Sequence, residues 1–174
     1  METDRLRLRE PDDRDADALR TYYARNAERF APWEPERPDD VDAHRAWIAD
    51  VRAHRRDGKP ATLLAFDRED GALVGIVDLH GFSHDGASAM IAYTVDGAYE
   101  GRGFASEAVG AVIAYAAHEL RVRQLTAYYD PANARSERLL QRAGFTVVMQ
   151  TPVVPGFERF MRAQNVAVLA LPQE

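Results

Sequence analysis

Two glycines separated by one residue, directly ahead of a helical pattern, form the stretch of this sequence that is best suited to chemistry. Gly101 and Gly103 leave the backbone without side chains, and the residues that follow begin a helix. The N–H groups in the first turn of a helix have no partner inside it, and the helix dipole places partial positive charge there. A loop of this kind can direct several N–H groups at one anion. We therefore predict that residues 101–106 bind a phosphate group.

The helix after this loop has one apolar face. Its apolar residues recur at the spacing i, i+3, i+4 and i+7, which is typical of an amphipathic helix with one buried side. Glu107 lies in the first turn, and Arg121 and Arg123 follow the last, as the helix dipole favours. An ordinary glycine turn ahead of a structural helix is the alternative interpretation. The predicted buried face consists of Ala105, Ala108, Val109, Val112, Ile113, Ala116 and Leu120.

The length and charge of the chain limit the classes of protein to which it can belong. Its 174 residues are enough to bury a substantial core, and we expect a single domain over residues 1–174. A net charge of -6 argues against general binding to nucleic acid or to an anionic membrane. The sequence has no apolar signal core and no apolar run of about eighteen residues. We expect a cytoplasmic protein.

The cysteine and histidine content argues against metal chemistry. The sequence has no cysteine, which excludes disulfides, thiolate zinc sites and a cysteine nucleophile. His44 and His54 lie on one predicted helix without a third ligand nearby. We interpret both as solvated helix residues and predict no metal.

The pattern of elements predicts a mixed α/β fold. Alternating polar and apolar residues at 5–9 predict a first strand, and helices follow at residues 15–26 and 41–56. Apolar runs joined by turn residues predict an antiparallel meander that leads into the glycine loop. The strand after the long helix must run parallel to the last meander strand, because a helix connects the two. The meander strands are predicted at residues 61–66, 73–80 and 89–95, the parallel strand at 124–129, and final strands at 145–151 and 166–171.

A short capped helix is predicted after the parallel strand. Asn133 suits the N-cap position, and Gly144 suits the left-handed residue just beyond the helix. Phe145 is then expected to pack back on Leu140.

The segment between the first two helices combines aromatic and acidic residues. Three prolines exclude regular structure over residues 30–40, while Phe30 and Trp33 carry large apolar surface. The segment is either a lid over the core or one wall of a binding site. In the second case Phe30, Trp33 and Glu34 would contact the substrate, and the acidic residues would attract a cationic amine.

The order of these elements and two paired motifs resemble the GNAT superfamily of acyl-coenzyme A dependent N-acetyltransferases. The first motif is Gly101-Arg102-Gly103-Phe104-Ala105-Ser106-Glu107-Ala108, and the second is Asn133-Ala134-Arg135-Ser136, followed by Gly144-Phe145. Together they are similar to the branch that includes the ribosomal-protein N-terminal acetyltransferases. The resemblance covers nearly the whole chain. It implies a mostly antiparallel central sheet with a parallel, splayed strand pair and flanking helices.

The resemblance also implies a site for acetyl-CoA as co-substrate. The amides of residues 102–106 would hold the pyrophosphate, strand 89–95 would pair with the pantetheine arm, and Asn133 would contact that arm from the other side. A backbone N–H of the same strand would meet the oxyanion during transfer. The cofactor-binding residues implied are Tyr93, Thr94, Val95, Gly101, Arg102, Gly103, Phe104, Ala105, Ser106 and Asn133.

Two positions depart from the family pattern. Many members have Gln or Arg where Glu100 stands, so this position offers no cation here and the loop backbone must suffice. The frequent tyrosine acid of the superfamily falls at Leu140, which has no proton to give. The similar branch commonly uses the serine of Asn-x-x-Ser instead, which points to Ser136 as the acid. The alternative is that Ser136 helps to cap its helix.

The family often places a carboxylate at the end of the strand that here reads Val-Asp-Leu-His. Asp78 is therefore the first candidate for the general base and His80 the second, although both could be polar residues facing solvent. A base is needed more for a lysine amine, with an ordinary pKa near 10.4, than for an α-amino group near 7.7 to 8.0.

The function expected is direct transfer of an acetyl group from acetyl-CoA to a primary amine in a ternary complex. A protein N-terminus, a polyamine and an aminoglycoside-like compound all suit as acceptors, and an exposed strand edge would allow a homodimer. A module that binds acyl-CoA without catalysis is one alternative. The other is a dinucleotide-binding oxidoreductase, because the glycine loop partly matches that fingerprint, although Ser106 replaces its third glycine.

Overall fold

A computed structural model describes residues 1–32, 37–56, 58–152 and 163–172 of the chain. The strands and α-helices in these residues are β1 (Leu6–Arg9), α1 (Ala16–Phe30), α2 (Val41–Ala53), β2 (Thr62–Asp67), β3 (Leu73–His80), β4 (Ser88–Val95), α3 (Phe104–His118), β5 (Gln124–Tyr129), α4 (Ala134–Arg142), β6 (Thr146–Thr151) and β7 (Gln164–Ala170). Short 3-10 turns precede α1 and follow β4.

The strands form one mixed sheet in the order β1-β2-β3-β4-β5-β7-β6. β1 with β2, β2 with β3, β5 with β7 and β7 with β6 pair antiparallel. β4 and β5 pair parallel, and α3 connects them. The predicted mixed α/β class, with one parallel pair and flanking helices, is confirmed.

The parallel pair is joined over only part of its length. Its ladder starts at Ser88 with Gln124 and ends at Met90 with Thr126. β4 continues to Val95, and β5 continues against β7 as far as Tyr129. In the described part of the chain the two strands are therefore paired at one end, as expected for a splayed pair.

The chain divides into two compact units. The first contains Met1–Asp78 and Tyr93–Val112, and the second contains Leu79–Ala92 and Ile113–Glu174. In the first unit α1 and α2 pack on β2 and β3 around Leu19, Tyr22 and Ile48. In the second, Leu125 of β5, Leu140 of α4 and Ala167 of β7 are buried.

The first helix differs most from the sequence prediction. α1 extends to Phe30, four residues beyond the predicted end. Phe30 is buried because its ring packs 5.6 Å from that of Tyr22 and 6.1 Å from that of Tyr23, both about two helical turns back on the same helix. The aromatic contacts continue the helix into residues that were assigned to the following segment.

The interpretation of His44 as a solvated residue is wrong. Its side chain is buried at 2% exposure, four residues before the buried Ile48 on the inner face of α2. Its ring stacks on Tyr23 with 5.8 Å between centroids. Burial lowers the pKa of His44 below its ordinary value, and the positive charge of Arg37 adds to this effect. His54, at the end of α2, is exposed as predicted.

The predicted caps of α4 are confirmed. Asn133 Oδ1 accepts the backbone N–H of Ser136 at 3.1 Å. Gly144 has φ +91°, and the Phe145 N–H returns to the carbonyl of Leu140 at 2.9 Å. None of the helices in the described ranges has the length and apolar character needed to cross a bilayer.

Candidate active site

The glycine loop lies in the first unit, between a 3-10 turn and α3. Gly101 and Gly103 have φ values of +71° and +84°, which side-chain-bearing residues rarely adopt. The first bond of α3 joins the Glu107 N–H to the Gly103 carbonyl at 3.1 Å, so the amides before it have no acceptor within the helix. Gly101, Arg102, Gly103 and Ser106 are exposed, whereas Phe104 is buried and Ala105 half-buried. The residues present therefore fit an anionic group such as a pyrophosphate.

Two arginines are placed at this loop, with Arg102 inside it and Arg5 in contact with it. The Arg5 guanidinium donates to the Arg102 carbonyl at 2.8 Å and lies 4.3 Å from the centre of the Phe104 ring. The Arg102 guanidinium lies 5.1 Å from the same ring, and no carboxylate pairs with it among the described residues. Arg102 therefore offers a cation within the loop, in addition to the backbone N–H groups.

Glu107 ties the start of α3 to the segment that precedes β1. Its carboxylate accepts from the Thr3 hydroxyl at 2.6 Å, the Arg5 N–H at 2.9 Å and the Arg5 side chain at 2.7 Å. Partial burial opposes ionisation, but these hydrogen bonds prevail and hold the pKa of Glu107 below its ordinary value. Sequence reasoning missed Arg5, since its pattern indicated only a strand and about a hundred residues separate it from the loop.

Glu100, the departure from the family pattern, forms an ion pair. Arg29 of α1 donates to its carboxylate. The negative charge directly before the loop is therefore compensated by Arg29, which sequence reasoning did not select.

The three predicted strand residues lie at the end of β4, in the same unit as the loop. Tyr93, Thr94 and Val95 are half-buried, and the Thr94 hydroxyl accepts from the Tyr22 hydroxyl at 2.8 Å. Asp96, the next residue, is buried and caps the 3-10 turn by accepting from the Ala98 N–H at 2.8 Å.

The two candidate bases lie at the end of β3. Asp78 is half-buried, and its carboxylate accepts from the Thr62 hydroxyl at 2.5 Å across the β2–β3 ladder. His80, the last residue of the strand, is exposed. Asp78 belongs to the first unit and His80 to the second.

The candidate acid and the Asn133 amide lie at the start of α4 in the second unit. Since Asn133 caps the helix through its oxygen, its NH₂ group is left for another partner. Ser136 is half-buried, and within the described residues its hydroxyl makes no hydrogen bond, so the capping contact involves only its backbone N–H. Leu140 is buried in the core at 2% exposure.

The acceptor-side candidates are described only in part. Phe30 ends α1 and is buried at 8% exposure with Tyr22 and Tyr23. Trp33 and Glu34 lie outside the described residues. The described Arg37 lies 4.8 Å over the ring of Tyr23 and 5.5 Å over that of Trp47.

Comparison with known proteins identifies the family to which this chain belongs. The model of the acetyltransferase (GNAT) domain matches residues 5–146. The chain is 30% identical over 149 residues to the ribosomal protein uS5-alanine N-acetyltransferase of Escherichia coli (strain K12), which covers 83% of this chain and 77% of that protein. The chain therefore belongs to the GNAT acetyltransferase family.

Solved structures share the fold. The ribosomal-protein-S5-alanine acetyltransferase from Vibrio fischeri superposes with a TM-score of 0.86 at 19% identity, over 98% of this chain and 95% of that chain. The Mycobacterium smegmatis RimJ in complex with CoA-disulfide superposes with a TM-score of 0.81 at 23% identity, over 97% of this chain and 85% of that chain.

Membership of the GNAT family establishes the reaction class of this protein. The protein is an N-acetyltransferase that moves an acetyl group from acetyl-CoA, its co-substrate, to an amine. The interpretation of the glycine loop as a dinucleotide fingerprint is set aside, because the family match includes that loop.

Proposed function

We propose that this enzyme acetylates the α-amino group of a protein N-terminus. The observation that carries the proposal is the identity to a relative whose name gives an alanine of ribosomal protein uS5 as the acceptor. An α-amino group also suits the chemistry, because its ordinary pKa of about 7.7 to 8.0 leaves part of it unprotonated at neutral pH.

The cofactor would be held by the loop and by the end of β4. The exposed amides of residues 101–106 and the Arg102 guanidinium would bind the pyrophosphate, where helix dipole and cation act together. Backbone groups of Tyr93, Thr94 and Val95 would pair with the pantetheine arm, and one N–H would stabilise the oxyanion. The free NH₂ group of Asn133 would contact the same arm.

Acetyl-CoA, when bound, supplies the acyl group as a thioester. Asp78, or His80 in its place, would accept a proton from the ammonium form of the acceptor, so that the neutral amine can attack the thioester carbonyl carbon and form the new C–N bond. Ser136 would donate its hydroxyl proton to the sulfur atom as the C–S bond breaks. The lack of a hydrogen bond from the Ser136 hydroxyl to any described residue supports this role.

The segment at residues 30–40 would form one wall of the acceptor site. The burial of Phe30 supports a role as the anchor of that wall. Contact with the acceptor would then depend on Trp33 and Glu34. Arg37, held over Tyr23 and Trp47, would fix the far end of the segment.

The two units would act as one domain, since the family match from residue 5 to residue 146 includes parts of both. A cytoplasmic location and a homodimer formed through a strand edge complete the proposal.

An acceptor screen tests the proposed function. Peptides with N-terminal alanine or serine, the same peptides with a blocked N-terminus and an internal lysine, spermidine and an aminoglycoside would each be incubated with enzyme and acetyl-CoA. Released thiol and product mass would be measured. We expect turnover of the free N-terminal peptides and at least tenfold less of the blocked ones. Turnover of spermidine or the aminoglycoside alone would contradict the proposal.

A further inference from the structure

One face of α1 is tied to the segment that leads from β4 into the cofactor loop. Tyr22, Asn26 and Arg29 are spaced i, i+4 and i+7, and Arg25 lies between them, so all four project from neighbouring positions on the helix. Each side chain contacts residues 94–100, about seventy positions later in the sequence. The family motifs include none of the four.

Asn26 is the centre of these contacts. Its NH₂ group donates to the carboxylate of Asp96 at 3.1 Å and to the Tyr22 carbonyl at 2.8 Å. Its oxygen accepts the Gly97 N–H at 2.9 Å. Asn26 and Asp96 are both buried at 2% exposure, and a buried polar group without its partner is costly. Asn26 therefore fixes where the chain turns after β4.

Arg29 continues the contacts toward the loop. Its guanidinium donates to the Asn26 oxygen at 2.8 Å and to the Val95 carbonyl at 3.3 Å, and it pairs with Glu100. The arginine crosses directly over Gly97, where an added Cβ would lie 3.1 Å from the Arg29 side chain. Glycine at this position allows the close approach.

We propose that Tyr22, Arg25, Asn26 and Arg29, here called the α1 clasp, are positioning residues that hold the cofactor loop in its binding geometry. The inference rests on the proposed role of residues 101–106 in binding the pyrophosphate of acetyl-CoA. The clasp fixes the backbone at Val95 and Gly97 and neutralises Glu100, the residue directly before Gly101. A loop that samples other geometries binds its ligand more weakly in proportion to the fraction that remains competent. The clasp thereby sets the affinity for acetyl-CoA without touching it.

The test uses variants on α1 and on the segment that α1 contacts. Asn26→Ser removes the central amide, and Arg29→Gln removes the ion pair with Glu100. Gly97→Ala places a methyl group against the Arg29 side chain and so disturbs the same contact from the β4 side. Arg20→Gln is the matched control for cofactor affinity, because Arg20 lies on the same helix and is similarly exposed, but pairs with Asp39. Calorimetry with CoA, steady-state kinetics and amide hydrogen exchange of residues 97–103 would be measured for each.

We expect the Kd for CoA and the KM for acetyl-CoA to rise roughly fivefold to tenfold in the clasp variants. The kcat at saturating acetyl-CoA should stay within about twofold, and exchange of the loop amides should accelerate. Arg20→Gln should keep the Kd of the parent. The same variants with a lower melting temperature but unchanged Kd and KM would show a purely structural role and overturn the proposal.

Gly103→Val separates this inference from the proposed site. A Gly103→Val protein that stays folded and binds CoA like the parent would mean that the loop is not the cofactor site. Loss of binding in Gly103→Val, with parental affinity in all three clasp variants, would overturn the clasp alone.

Discussion

Replacement of Gly103 by valine should abolish the stabilisation of this protein by CoA. Gly103 has φ +84°, and a Cβ built there lies 3.4 Å from the Arg5 guanidinium, which itself holds the Arg102 carbonyl. The two methyl groups of valine would add bulk where a phosphate must approach the amides of the loop. The left-handed backbone should also cost about 1–2 kcal/mol of stability.

Gly58 provides the matched control for backbone strain. Its φ is +75°, and an added Cβ would meet no atom of the described residues within 4 Å. Gly58→Val should therefore lose a similar amount of stability without affecting the cofactor site. A difference between the two variants in the stabilisation caused by CoA therefore reports on ligand approach rather than on backbone strain.

The expected size of the effect follows from linkage. At a hundredfold excess over its Kd, CoA should stabilise the parent by about 2.7 kcal/mol. For a chain of this length each kcal/mol is worth about 2–4 °C, so the melting temperature should rise by roughly 5–11 °C. Thermal unfolding followed by circular dichroism, with and without CoA, should show this rise in the parent and in Gly58→Val but not in Gly103→Val. A folded Gly103→Val protein with the rise of the parent would refute the assignment of the loop.

Three further predictions concern single side chains. Ser136→Ala should lower kcat at saturating acetyl-CoA by roughly a hundredfold or more while CoA affinity is retained. A rate within about twofold of the parent would mean that Ser136 is not the acid and contributes only its backbone N–H to the cap of α4. Because the pKa of Glu107 is lowered from 4.5, its contribution to stability is present above that value and is lost as pH falls through the lower folded pKa, so denaturant titrations should show a weaker acid dependence for Glu107→Gln. The pKa of His44 is lowered from 6.5, so the folded protein resists its protonation and stability should fall as pH drops below 6.5 toward the folded value. His44→Gln should lose this dependence and His54→Gln should keep it; equal slopes in both would contradict the assignment.

Local sequence signals predicted most of the fold. The glycine turn ahead of α3, the caps at Asn133 and Gly144 and the parallel crossover have signals in the local sequence, and each is confirmed as a feature of the fold. The end of α1 was missed because Phe30 was assigned to the proline-containing segment after the helix, although its ring packs on Tyr22 and Tyr23 two turns earlier in the same helix. His44 was misjudged for a different reason, since stacking on Tyr23 of another helix contributes to its burial and has no local signal.

The candidate site was less accessible to sequence reasoning. Backbone-based features such as the loop follow from glycine spacing and helix polarity. Arg5 and Arg29 approach the loop through tertiary contacts of about seventy to a hundred residues in sequence separation, and arginine is common on strand and helix surfaces. A single sequence gives no means of pairing them with the loop. The roles of Asp78, His80 and Ser136 stay predictions, because their chemistry depends on a substrate position.

The terminal strand of the sheet, β6, has an irregularity that affects how it could pair with a strand of another molecule. β6 is at the end of the strand order and exposes the side chains of Val147, Val148 and Met149. The ladder to β7 shifts register between Val147 and Met149, which marks a bulge in the middle of the strand. A bulge disturbs the regular row of N–H and C=O groups on which another strand would align, and natural sheets use such irregularities to resist open-ended aggregation. We therefore expect the bulge in β6 to make this apolar strand a poor template for the open-ended addition of further strands.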